Sequence, residues 1–221
     1  MAVYMPIMLD CEGKVCVVIG GGRVAERKIK ELLAASARIT VISPTVTTPI
    51  QQYHEEGKLE WLPRRYAEGD LNGAFMLYAA ADDSEANRLA AAEAKAKGIL
   101  ANVADQPEMG SFIHPSVLRR GRLVIAVSTS GAGPLAARAI RRKLEDDYGN
   151  EFEVYLDHLY AMRRMIQQQV SDPAMRQALL RKASGPEVLD SVRQGGFKPG
   201  DAEKIRKWIN DNQEEWECGQ S

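Results

Sequence analysis

Between residue 14 and about residue 128, short apolar runs rich in β-branched residues alternate with longer stretches whose apolar residues recur at helical spacing. The runs are Val15 to Ile19, Ile39 to Ile42, Leu59 to Leu62, Phe75 to Ala79, Ile99 to Val103 and Leu123 to Val127. Most are apolar throughout, as strands covered by helices on both faces must be, so the alternation predicts an α/β fold with a doubly wound parallel sheet. From Arg23 to Ser36, residues Ala25, Ile29, Leu32 and Leu33 share one stripe, while Ser84 is placed to cap a helix through Ala96 that Gly98 ends. After residue 130 only helical signals continue. Pro134 stands at a first helical position with Gly149 as the stop, and Asn150 caps a helix reaching about Val170. Asp172-Pro173 and Pro199-Gly200-Asp201 each read as a cap and start, with Gly195-Gly196 as a loop between them.

Directly after the first run stands Gly20-Gly21-Gly22-Arg23-Val24-Ala25, which is the G-x-G-x-x-G/A pattern with alanine in the last place. Gly20 permits the tight turn, Gly22 lets backbone N–H groups approach a pyrophosphate, and Ala25 lets the helix pack close to the strand. The helix N-terminus then faces the anion with its partial positive charge. A glycine triple can also be a plain turn, but the strand, turn and helix in order predict a Rossmann-type dinucleotide site. A second strand of this kind ends in an acid that takes the ribose hydroxyls. Here Ile42 runs instead into Ser43-Pro44-Thr45, with no arginine or lysine immediately after, and NAD is expected over NADP.

A second constellation follows the fifth run: Asn102-Val103-Ala104-Asp105, then Gly110-Ser111-Phe112-Ile113-His114-Pro115. Ligands of doubly wound sheets lie outside the carboxyl ends of the strands, which puts Asp105 in reach of a nicotinamide. A lone aspartate in a loop is also a common turn former, and a lone histidine a common surface or capping residue.

Composition narrows the partners. The 221 residues are 45% hydrophobic and 27% charged, and no apolar run approaches the roughly 20 residues of a spanning helix, so no membrane partner is expected. The N-terminal stretch lacks a basic region and a cleavage site, which predicts a cytoplasmic protein. A formal net charge of −1 speaks against a nucleic-acid partner. Cys11, Cys16 and Cys218 have no C-x-x-C spacing, and no metal site is expected. Basic clusters remain at Arg119, Arg120 and Arg122 and at Arg138, Arg141, Arg142 and Lys143.

Taken in order, Gly20 to Lys28, Asn102 to Asp105, Ser111 to Ser116 and Ala126 to Gly131 before Pro134 to Arg138 resemble the precorrin-2 dehydrogenase family, the siroheme-synthase N-terminal module, over about residues 5 to 148. The resemblance implies NAD-dependent oxidation of precorrin-2 to sirohydrochlorin by a stand-alone homodimer. It matches Asp105 to the family's catalytic aspartate, Arg23, Val24, Pro44 and Thr45 to positions lining the dinucleotide, and Ser128 to a serine near the tetrapyrrole. With Gly20, Gly22, Ala25 and Ser43 these make up the cofactor candidates. Precorrin-2 carries many carboxylates, so Arg138 and Arg142 join Asn102, Ser111, His114 and Ser128 as substrate-binding candidates.

The expected division is a nucleotide-binding domain over 1–113, a dimerisation segment over 114–148 holding a short helix, a strand and a long helix, and a helical domain over 149–221. Two departures from the family pattern stand out: Ala81 replaces a threonine of some members, and His114 occupies a position often apolar. Alternatives are a bifunctional dehydrogenase and sirohydrochlorin ferrochelatase, and a non-catalytic NAD-sensing module. The latter is disfavoured because no strongly basic recognition helix is present.

Overall fold

The computed structural model describes residues 4–194 and 202–218, which form two compact units meeting in sequence at His114 and Pro115. The first unit runs β1 (Val15–Ile19), α1 (Arg23–Ala34), β2 (Arg38–Ile42), α2 (Thr48–Glu55), β3 (Glu60–Leu62), β4 (Met76–Ala79), α3 (Ser84–Lys97) and β5 (Leu100–Val103). All five strands are parallel, in the order β3-β2-β1-β4-β5. The chain therefore winds outward from β1 to β3 and crosses back to lay β4 on the other side of β1. That reversal is the switch point at which doubly wound sheets open a cleft.

Period-2 alternation assigns the strand residues to two cores. Cys16, Val18, Ile39, Val41 and Tyr78 pack on one face under Ala25, Ile29 and Leu32 of α1 and Ile50 of α2. Val17, Ile19, Ile42, Leu77 and Ala79 pack on the other under Ala90, Ala91 and Ala94 of α3. Small residues on α3 let that helix approach the sheet closely. Asp83, rather than Ser84, is the cap of α3, its carboxylate accepting from the amides of Glu85 and Ala86, and Gly98 ends the helix at φ +68°.

The second unit begins with β6 (Ser116–Arg120) and β7 (Leu123–Val127), an antiparallel pair joined by Gly121-Arg122 with Gly121 at φ +52°. This corrects two expectations. The Leu123 run is not a sixth parallel strand, and the residues before it form a strand in place of a short helix. Two residues cannot carry a crossover, so the run can only fold back on its neighbour. Helices follow: α4 (Pro134–Asp147), α5 (Glu151–Gln169), α6 (Pro173–Ala183), α7 (Pro186–Arg193) and α8 (Ala202–Cys218). Met162, Ile166, Leu179, Ile205 and Ile209 form the core that α5, α6 and α8 share. The carboxylate of Asp172 caps α6 by accepting from the Met175 amide at 2.7 Å. The expected turns at Gly195-Gly196 and Pro199-Gly200-Asp201 lie outside the described residues.

Candidate active site

The loops after β1, β2, β3 and β4 enclose a cleft of about 410 Å3 at the switch point. Gly20, Gly21 and Gly22 form its floor, and Ser43, Pro44, Thr45 and Thr47 form one wall. The glycines are required for different reasons. A Cβ on Gly20, at φ +106°, would lie 2.3 Å from the Ala80 carbonyl oxygen, and one on Gly21 would lie 2.1 Å from that of Thr45. A Cβ on Gly22 would meet nothing within 4 Å. No protein atom asks for glycine at position 22, whereas a phosphate drawn to the N-terminus of α1 would. Gly22 caps that helix without a side-chain hydrogen bond, which leaves the first amides of α1 for an anion. The residues present therefore fit a dinucleotide pyrophosphate.

Of the expected cofactor residues, Gly20, Gly22, Ser43, Pro44 and Thr45 line the cleft. Arg23 and Val24 are exposed on the first turn of α1, and Ala25 is fully buried against the sheet, where its small size matters. Ser43 turns inward, its hydroxyl donating to the Thr45 carbonyl at 2.7 Å while its own carbonyl accepts from the Trp61 indole at 2.9 Å.

The far wall adds residues that no motif marks: Arg65 and Tyr66 from the loop after β3, and Asp82 and Asp83 after β4. Arg65 is exposed and 3.7 Å from Asp83. Tyr66 is held from behind, its hydroxyl donating to Glu93 of α3 in a short hydrogen bond. The Gly69 amide also donates to Glu93, at 3.2 Å, and Lys97 pairs with the same carboxylate at 2.5 Å. Burial raises the Tyr66 hydroxyl, and the carboxylate beside it raises it further, so the phenol stays protonated.

Asp105 stands exposed just beyond β5, and its Oδ1 accepts from Asn87 of α3 at 3.1 Å. Asn102 and Ser111 do not open toward a ligand. Asn102 donates to the Phe112 carbonyl at 3.1 Å, and the Ser111 hydroxyl accepts from the Ala101 amide at 2.9 Å, so both strap the segment after β5 against that strand. His114 ends the strap on the α1 face, with Nε2 2.5 Å from Glu31 and Nδ1 3.2 Å from the Tyr78 hydroxyl. The structure thus gives His114 and Asp105 separate neighbours. Burial pushes the Glu31 carboxyl up, but the hydrogen bond and charge of His114 outweigh it and hold the group below the usual range. Nearby Lys28, 5.2 Å from the Tyr78 ring centroid, is pushed down to about 8 by burial. Burial also pushes the Cys16 thiol up to about 12, which leaves it inert as a nucleophile.

In the second unit, the Ser128 hydroxyl accepts from the Ser130 amide at 3.1 Å in the exposed turn before α4. Arg138 and Arg142 are exposed on α4. Arg122 is engaged with Asp157 at 2.8 Å and lies over the Tyr160 ring. Among the described residues, no group of three or more histidines, cysteines and acids stands together to hold a metal ion, and no helix is long and apolar enough to cross a membrane.

A parallel sheet with a glycine-floored cleft at its switch point, at the N-terminus of the first helix, defines a dinucleotide-binding protein of the Rossmann class. Two family models match, "Putative NAD(P)-binding" over residues 7–116 and "Sirohaem biosynthesis protein central" over residues 120–147. Siroheme synthase of Chromobacterium violaceum is 43% identical over 142 residues, 64% of this chain and 30% of that protein. Siroheme synthase of Nitrosococcus oceani is 32% identical over 215 residues, 90% of this chain and 46% of that protein. This chain therefore spans less than half the length of either relative. A solved structure, "SirC, precorrin-2 dehydrogenase", superposes with a TM-score of 0.77 at 28% identity, covering 94% of this chain and all of that one. The chain belongs to the siroheme biosynthesis family that includes these N-terminal, NAD(P)-binding modules.

Proposed function

We propose that this protein oxidises precorrin-2 to sirohydrochlorin with NAD. The observation that carries the reading is the likeness to SirC, precorrin-2 dehydrogenase, over the whole of that chain. The glycine-floored cleft supports it as the seat of the dinucleotide, which when bound supplies the hydride acceptor. The substrate gives up a hydride and a proton. Asp105 takes the proton, because it is an exposed carboxylate just beyond β5 that is linked through Asn87 to the loop after β4. Exposed Arg138 and Arg142 are the candidate partners of the substrate carboxylates. NAD is preferred to NADP, since no cation follows β2 and Arg65 is shared with Asp83.

The protein acts as a homodimer, a reading supported by Leu135 and Ile140 of α4, which expose apolar side chains at 76% and 47%. An absorbance assay with enzymatically made precorrin-2 and either NAD or NADP tests the function. NAD-dependent formation of sirohydrochlorin is expected, with turnover of Asp105→Asn lower by at least roughly a hundredfold, the low end for loss of a general base. His114→Ala should lose far less. No oxidation by the wild-type protein, or full activity of Asp105→Asn, would overturn the assignment.

A further inference from the structure

Asn87 is an unexpected residue in its place. It lies in α3, a helix whose sheet-facing side is otherwise built of alanines, and it is 1% exposed. Burying an amide is costly unless its polar atoms find partners, and here they do. Oδ1 accepts from the Ala81 amide at 3.0 Å, and Nδ2 donates to the Ala81 carbonyl at 2.9 Å. The remaining Nδ2 hydrogen goes to Asp105 Oδ1 at 3.1 Å. The orientation of the amide follows from these partners, since a flipped group would set an oxygen against both a carbonyl and a carboxylate.

One side chain therefore holds two strand ends together. Ala81 follows β4 and lines the dinucleotide cleft, and Asp105 follows β5. The adjoining backbone repeats the link, with the Ala104 amide donating to the Ala79 carbonyl at 2.9 Å. We propose that Asn87 is the positioning residue for the reaction, fixing the Asp105 carboxylate relative to the cleft wall at Ala81. Hydride and proton leave the same substrate, so the acceptor of each must be held in register with the other. The inference rests on Asp105 being the base. Aspartate cannot replace Asn87, because it has no donor for Ala81 or Asp105 and would bring a like charge to the latter. Alanine leaves the Ala81 peptide and the carboxylate without their common tie.

The test compares Asn87→Ala and Asn87→Asp with the wild-type protein, each also combined with Asp105→Asn, reading kcat, KM for precorrin-2, NADH binding by fluorescence and the melting temperature. Asn87→Ala is expected to lower kcat at least tenfold with KM changed less than twofold, and Asn87→Asp to lower it further. In the Asp105→Asn background the same substitutions should cost less than twofold, because the group they act through is already disabled. An unchanged kcat, or an equal loss in both backgrounds, overturns the proposal and makes Asn87 a structural residue only. Should neither variant fold, the Asn87 side-chain amide resonances of the wild-type protein and of Asp105→Ala decide the matter: a shift of the Nδ2 protons supports the tie, and unmoved resonances overturn it. Wild-type protein that binds NADH without oxidising precorrin-2 would overturn the proposed function and this inference with it. Normal wild-type turnover that is insensitive to Asn87 would overturn this inference alone.

Discussion

Lys28 shows what a single buried charge does to this fold. It lies 6% exposed between α1 and the sheet, and burial lowers its proton affinity to a pKa of about 8, against 10.5 for a free lysine. Below pH 8 the group is charged in both folded and unfolded chains, and its desolvation opposes folding by an amount on the order of a few kcal/mol. As pH rises from about 8 through the free-lysine value, the folded protein sheds the proton first and that penalty fades. Lys28→Met should therefore raise the melting temperature at pH 7, with the advantage shrinking toward pH 10.5. A melting difference that does not depend on pH would contradict the burial argument. The three glycines separate in the same way. Gly22→Asp, at a position with open space and ordinary backbone angles, should keep a near wild-type melting temperature while abolishing binding of both NAD and NADP in a fluorescence titration. Gly20→Ala should instead lose stability, because its Cβ meets the Ala80 backbone.

At the scale of elements, the loop from β3 to β4 is fastened to α3 by one carboxylate. Glu93 receives Tyr66, Gly69 and Lys97 together, and a bidentate pair between Arg64 and Asp70 stiffens the same loop. Glu93→Ala should destabilise the protein by roughly 1–3 kcal/mol, as expected when part-buried donors lose their acceptor. It should also weaken NAD severalfold, because Tyr66 lines the cleft. Unaltered NAD affinity in calorimetry would show that the loop needs no such fastening. None of this wall is legible in the sequence, since Arg65 and Tyr66 lie in a loop with no periodic pattern and reach the cleft only through the sheet order. Asn87 is equally silent, one amide among alanines in a helix. The floor, by contrast, is written in Gly20 to Ala25, and β1 and β4 are visible because strands buried on both faces leave continuous apolar runs. Strand β6 escaped that rule: Arg119 is exposed and Arg120 half-buried, and with Ser116 three of its five residues lack the apolar signature.

For the whole molecule, the two exposed apolar residues of α4 predict that sedimentation equilibrium at micromolar concentration gives twice the 24.4 kDa chain mass, and that Leu135→Asp gives a monomer. A wild-type monomer would sink the homodimer. The sheet order has another consequence, one of timing. β1 is synthesised first among the strands yet ends up in the middle of the sheet, where Cys16 is aligned with Met76. Until β4 has left the ribosome, one edge of β1 lacks its partner, and Ala80, the atom wall behind Gly20, does not yet exist. The closure of so long a loop is slow, and an unpaired strand edge is a template for wrong pairing. A nascent chain arrested before residue 76 thus carries the complete glycine motif but no finished cleft. Cofactor in the cell can stabilise the first unit only after β4 has docked, so it rewards completed folding and cannot seed it.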